Sequence, residues 1–164
     1  MAQHILATKN NLRFISTATL LIFFISSSLG QTISGLVIKI ADGDTLTILT
    51  PKKEQVKIRL TEIDAPEKKQ AFGNVSRQSL AKICFRKNAV INYEKVDRYK
   101  RILGRVYCNG VDANAEQIHR GMAWVYDKYV TNKSLYKLQL EAQQSKAGLW
   151  ADQYAMPPWN FRKK

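Results

Sequence analysis

Two short acidic runs stand out in a chain that is otherwise strongly basic: Asp42-Gly43-Asp44 and Asp64-Ala65-Pro66-Glu67. Carboxylates carried on turns, completed by a backbone carbonyl, are the oxygen donors that a hard divalent cation such as Ca2+ requires. Asp44, Asp64 and a loop carbonyl form a candidate set of that kind. Arg59 stands five residues before Asp64, and Arg101 closes the run Asp97-Arg98-Tyr99-Lys100-Arg101. A guanidinium offers a planar pair of donors where lysine offers a point charge, so fixed arginines suit a phosphate that gains charge in a transition state. Two aspartates, a glutamate and two arginines therefore make a workable phosphoryl-transfer constellation. Each group also has an ordinary reading: Asp-Gly-Asp as a turn, Asp64 as a strand end, each arginine as a solvated charge.

To act together these side chains must be delivered to one place by the elements that carry them. Val37 to Ile40 and Thr45 to Leu49 are β-rich runs on either side of the Asp-Gly-Asp turn. Gln55 to Ile63 alternates, with Val56, Ile58 and Leu60 on one face and Lys57, Arg59 and Thr61 on the other, so Arg59 points away from the core. Pro66 stops that strand, and Glu67 to Gly73 reads as a loop. The spacing of Leu80, Ile83 and Cys84 predicts a helix over about 74–86, capped by Asn74. Ala89 to Val96 and Ile102 to Cys108 are two further strands, and Asn109-Gly110 is a turn with both residues at positive φ. A short helix follows from about Asp112 to Arg120, stopping at Gly121. A last helix runs to about Ala147 and ends at Gly148. Residues 151–164 read as an irregular basic tail. Five strands with a helix between the third and fourth, and three helices in all, predict an α+β protein built on an OB-fold five-stranded barrel.

At 164 residues the chain suits one domain with a real core, and 45% apolar residues argue against wholesale disorder. Its 26 Lys and Arg against 13 Asp and Glu give a net charge of +13. Such a field attracts polyanions: nucleic acid, acidic membrane surfaces or anionic polysaccharide. Residues 1–30 have the layout of a secretory signal peptide: Lys9 and Arg13, an apolar run from Phe14 to Ile25, then small residues to Gly30. An uncleaved anchor is the alternative. Removing that segment takes away two basic residues and no acidic one, so the basic character belongs to the folded part. The expected location is outside the cytoplasm, periplasmic or extracellular, with no stable membrane association after cleavage. In such a compartment Cys84 and Cys108 have one intramolecular pairing open to them; two buried thiols are the other reading.

The blocks Asp42 to Thr45 (DGDT), Arg59 to Glu67 (RLTEIDAPE) and Asp97 to Arg101 (DRYKR) resemble, in order and spacing, the signature blocks of the staphylococcal-nuclease-like (thermonuclease) family. The segments Gly121 to Tyr126 and Glu141 to Trp150 are similar too, and the resemblance spans about residues 35–150. It implies a calcium-dependent endonuclease that hydrolyses phosphodiester bonds of DNA and RNA and leaves 3′-phosphate ends. Carried over by position, Asp44 and Asp64 match calcium-ligating carboxylates, the Ala65 carbonyl a third ligand, and Asp42 an outer-shell acid. Arg59 and Arg101 match the arginines that hold the scissile phosphate, and Glu67 the residue that takes or positions the proton of water. Tyr99 and Tyr126 fall where the family surrounds the nucleotide with tyrosines. The chain departs from the pattern in three places. Ala65 stands for a threonine, Lys100 for a glycine where it would strain the turn or add a phosphate contact, and Trp124 for a tyrosine where it would still stack.

Residues 31–150 are thus expected to form a monomeric nuclease domain. The rival reading is a catalytically weak nucleic-acid-binding module of the same fold, which would keep the charge and the aromatics. A basic adhesion protein would leave the paired acids unexplained.

Overall fold

The computed structural model describes residues 30–163. The expected leader, its cleavage point and its reading as an anchor therefore lie outside the described residues. Strands β1 (Gln31–Ile40), β2 (Thr45–Leu49) and β3 (Gln55–Leu60) form an antiparallel meander, followed by the two-residue strand β4 (Ile63–Asp64) and helix α1 (Gly73–Cys84). Strands β5 (Asn88–Val96) and β6 (Ile102–Cys108) come next, then the short β7 (Val111–Asp112), α2 (Ala113–His119), β8 (Trp124–Val125) and α3 (Ser134–Gln144). A 3-10 turn at Gly148–Ala151 and the one-turn helix α4 (Pro158–Phe161) complete the order.

The sheet runs β3-β2-β1-β5-β6-β7, and β3 also pairs with β6, so five strands close on themselves. The closing ladder is the parallel one, Ile58 to Ile102, Arg59 to Leu103 and Leu60 to Gly104. Strand β1 serves both halves: residues 31–36 pair with β5 and residues 36–40 with β2, with a register shift in the β2 ladder between Val37 and Lys39. This is the OB-type α+β barrel expected, with α1, α2 and α3 and the extra short α4. Period-two alternation fills it: Ile58 and Leu60 from β3, Ala89 and Ile91 from β5, and Val106 and Cys108 from β6 are at 0% exposure. With Val37, Leu46 and Ile48 these make a core whose burial is the main stabilising term. Cys84 and Cys108 form a disulfide with Cα atoms 5.2 Å apart, joining the end of α1 to the end of β6. Among the described residues no helix is long and apolar enough to cross a membrane.

Four local expectations differ from what forms. The strand read as Gln55 to Ile63 breaks after Leu60, because Glu62 sits at φ 65° and turns the chain. Three bonds to one Glu62 oxygen hold that bend, from the Thr131 amide, the Thr131 hydroxyl and the Asn132 amide, each at 2.7 Å. Helix α1 starts one residue early, and Asn74 does not cap it; Phe72 does, at φ 64° with no side-chain bond. Helix α3 ends at Gln144 rather than running to Ala147 with Gly148 just beyond it; Lys146 takes the left-handed position (φ 52°) and the Ala147 amide bonds back to the Ala142 carbonyl at 2.8 Å. The tail read as irregular contains α4 and packs against the barrel. The Asn109-Gly110 turn has the expected positive φ at both residues, 47° and 83°.

Candidate active site

The Asp42–Asp44 loop joins β1 to β2 and is shaped by its own side chains: Asp42 Oδ1 accepts from the Asp44 amide at 3.1 Å. Gly43 is required by a close approach, since a Cβ there would overlap Ser76 Oγ of α1. Buried Gln117 of α2 donates through Nε2 to the Gly43 carbonyl at 2.7 Å, so two helices clamp the loop. Asp44 itself is buried. Its Oδ2 accepts from the Ala65 amide at 2.7 Å and its Oδ1 from the Thr45 hydroxyl at 3.1 Å.

Arg59 leaves β3 and folds across the bend at Glu62. Its Nη1 donates to the Leu60 and Ile63 carbonyls at 2.6 and 3.0 Å, on either side of the bend. Its Nη2 lies 2.9 Å from Asp64 Oδ1 and 3.1 Å from Asp44 Oδ2. Buried Asn114 steadies the same bend, donating to the Thr61 carbonyl at 2.8 Å while accepting from the Val106 amide of β6 at 3.0 Å. One guanidinium thus spans two carboxylates that are 95% and 99% buried.

Electrostatics at this pair are unfavourable for the bare protein. Burial, with Asp42 adding, pushes the Asp44 carboxyl up to about 6, against the opposing pull of Arg59 and the Ala65 amide. Burial also raises Asp64, against the opposing effects of Arg162 and Arg59. Two close, buried, oxygen-only donors that resist ionisation suit a hard cation, which would restore both to their charged form. Among the described residues no three His, Cys, Asp or Glu side chains gather as a metal-ligating group. A cation here would rest on the two aspartates and draw its other ligands from backbone carbonyls and water. The Ala65 position is 4% exposed and next to both.

A cleft of about 790 Å³ opens beside the pair, and Asp42, Glu67, Arg101, Tyr99 and Tyr126 line it as well. Arg101 is anchored away from the acids: Asp97 Oδ2 accepts from its Nε at 2.8 Å, and Asp97 Oδ1 from its amide at 2.9 Å. Burial would raise the Asp97 carboxyl, but these bonds, the Arg101 charge and the Tyr99 amide together outweigh it and hold the group below the usual range. The Arg101 guanidinium carbon lies 5.5 Å from the ring centre of Tyr99, which is 62% exposed. Lys100 takes the left-handed conformation (φ 61°) that a glycine would occupy without strain, and it is absent from the cleft wall. Trp124 is also outside the cleft. It packs edge-on against Trp150 at 4.2 Å and Trp159 at 6.0 Å between ring centres, and so helps to seat α4.

Sequence reasoning missed three residues here. Arg162 reaches Asp64 Oδ2 at 2.7 Å and Glu67 Oε1 at 2.6 Å. Trp159 lies parallel to Tyr126, with centres 5.4 Å apart and planes within 1°. Tyr129 meets Tyr126 edge-on at 4.9 Å and lines the cleft. The three-residue spacing of Tyr126 and Tyr129 was a readable signal; nothing local marked Arg162 within a run of basic residues.

The family described as staphylococcal nuclease homologue matches residues 57–152, more than half of the chain. A protein named Protein ParB from Escherichia coli is 36% identical over 160 residues, covering 91% of this chain and 90% of its own length. An uncharacterized endonuclease of Haemophilus influenzae is 39% identical over 155 residues (94% and 87%). A micrococcal nuclease of Shigella flexneri is 37% identical over 163 residues (93% and 92%). The family match begins after β2, whereas these relatives also span the Asp42–Asp44 loop.

Proposed function

The chain belongs to the staphylococcal nuclease family and is a nuclease acting on nucleic acid, and from that premise we propose that it is an exported, calcium-dependent endonuclease of DNA and RNA that leaves 3′-phosphate ends. One observation carries the reading: Arg59 Nη2 lies within 3.1 Å of both Asp44 and Asp64, on the wall of the cleft that Glu67 and Arg101 share.

In this reading Asp44, Asp64 and the Ala65 carbonyl hold Ca2+, with Asp42 behind them. When bound, the ion supplies Lewis-acid polarisation of a phosphate oxygen and a fixed place for water. Arg101, fixed by Asp97, and Arg59, fixed by the bend carbonyls, grip the non-bridging oxygens, where charge builds as phosphorus becomes five-coordinate. Glu67 is half-exposed on the cleft and takes or positions the proton of the attacking water. The water oxygen adds to phosphorus as the bond to the 5′ oxygen breaks; the departing 5′ oxygen takes a proton from solvent water to become a hydroxyl, and the phosphate stays on the 3′ side. Tyr99 and Tyr126 offer ring faces to the bases on either side. The strongly basic surface draws the polyanion in, and the protein works as a monomer, periplasmic or extracellular, without stable membrane association after leader cleavage.

The test is cleavage of plasmid and of RNA by the purified protein with EDTA and with Ca2+, followed by end analysis of the products. Cleavage abolished by EDTA, restored by Ca2+ and yielding 3′-phosphates is expected, with Arg101→Ala and Glu67→Ala each slower by about 10²-fold or more. Binding without strand scission under all conditions would leave only a nucleic-acid-binding module.

A further inference from the structure

Helix α4 is seated on the barrel by contacts well away from its arginine. Pro158 is buried, Trp159 stacks on Tyr126, and Gln70 Nε2 donates to the Met156 carbonyl at 2.6 Å just before the helix. That seat delivers Arg162 to the acidic side of the cleft. Its Nη2 donates to Asp64 Oδ2 at 2.7 Å, and its Nη1 to Glu67 Oε1 at 2.6 Å and Asp64 Oδ1 at 3.3 Å. Arg59 takes Asp64 Oδ1 at 2.9 Å. Both oxygens of Asp64 therefore already face guanidinium N–H groups, and Oδ2, the one Arg59 leaves open, is held by Arg162.

A divalent ion and this guanidinium compete for that oxygen, because both approach its lone pairs and their positive charges repel. Arg162 is also unlike Arg59 in exposure. Its side chain is 41% exposed against 13%, so its guanidinium has solvent beside it to move into once another cation takes Asp64, whereas Arg59 is built into the bend.

We propose that Arg162 is the resident counter-ion of Asp64 and Glu67, held there by α4, and that a divalent cation binds Asp64 by displacing it. The inference rests on the reading of Asp44 and Asp64 as the metal ligands. It makes α4 a strap that keeps the two acids neutralised and Glu67 occupied until metal arrives.

The test is Ca2+ binding by the purified protein without nucleic acid, measured by titration calorimetry on wild type, Arg162→Ala, Arg162→Gln and Trp159→Ala, with near-ultraviolet circular dichroism as the check on folding. If Arg162 occupies Asp64 about nine-tenths of the time, its removal tightens Ca2+ binding roughly tenfold. Arg162→Gln, which keeps N–H donors without the charge, falls between. Trp159→Ala, which loosens the seat and leaves the arginine in place, also binds more tightly than wild type. Equal or weaker Ca2+ binding by folded Arg162→Ala overturns the proposal while leaving the metal site standing. Should Arg162→Ala fail to fold, unchanged affinity in both Arg162→Gln and Trp159→Ala overturns it. Absence of Ca2+ binding in every form, wild type included, removes the metal site itself and the proposal with it.

Discussion

Arg59 donates to Asp64, five residues further along the chain, at 2.9 Å, and the same guanidinium bonds the carbonyls on both sides of the intervening bend. A residue proposed to grip phosphate is thus also the brace that shapes its own surroundings. Arg59→Ala is expected to lose turnover by orders of magnitude and, in addition, about 3 kcal/mol of stability, because two buried carboxylates lose their shared cation. Arg59→Lys should recover part of the stability and little of the activity, since an ammonium cannot span both acids and both carbonyls. Denaturant melts alongside single-turnover cleavage separate the two effects; an alanine variant as stable as wild type would contradict the bracing role.

Asp44 gives a pH signature of the metal-free protein. Its folded-state value is pushed up to about 6, mainly by burial, above the usual aspartate value near 4. A group raised on folding contributes stability below its unfolded value, and that contribution is lost as pH rises through the folded value. Between about pH 4 and pH 7, wild type in EDTA should therefore lose stability relative to Asp44→Asn, which does not titrate, while the variant cuts nothing at any pH. Thermal melts of both across that range decide it. A stability difference constant with pH would mean that Asp44 is ionised without strain.

Glu62 has the opposite sign. Burial alone would raise its carboxyl, but the Asn132 amide and the Thr131 hydroxyl and amide outweigh it, so the value is lowered. Stability from a depressed carboxyl is present above the unfolded value, near 4.3, and disappears as pH falls through the folded one. Glu62→Gln should cost about 1–2 kcal/mol at neutral pH, and the gap to wild type should close in acid. Urea midpoints at pH 7 and pH 3 measure it; a gap that persists in acid would assign the loss to shape instead of charge.

Gly43 tests how closely the acidic loop is seated on α1. Gly43→Ala would drive a methyl into Ser76 Oγ and close to the Ala65 side chain. The expected cost is about 1–3 kcal/mol from overpacking, together with a fall in turnover of about 10²-fold as Asp44 shifts from Arg59. Adding Ser76→Gly should return part of both, and strict additivity in that double-mutant cycle would deny the contact.

The barrel was legible in the sequence because its strands alternate cleanly: Ile58 and Leu60, then Ile102, Val106 and Cys108, fall where period two puts them. Asp44, Arg59, Asp64, Glu67 and Arg101 are singled out by the turns and strand ends that carry them and by the resemblance of their blocks, and the structure sets all five on one cleft. What sequence could not show was contact across distance. The bend at Glu62 depends on Thr131 and Asn132, about 70 residues away, and no propensity in the run from Gln55 to Ile63 announces it. Arg162 is one cation among many until α4 is placed, 98 residues from the aspartate it meets. Trp124 is singled out because it stands for a tyrosine of the family pattern; its packing against Trp150 and Trp159, 26 and 35 residues further on, has no local sign.

The parallel seam between β3 and β6 sets Arg59 beside Leu103 in register, two places from Arg101. In the strand order β3 and β6 stand at opposite ends of the five that close, and no hairpin contains both arginines. A chain with that seam open is accordingly toothless: its two guanidinium groups then ride on the far margins of an unrolled sheet.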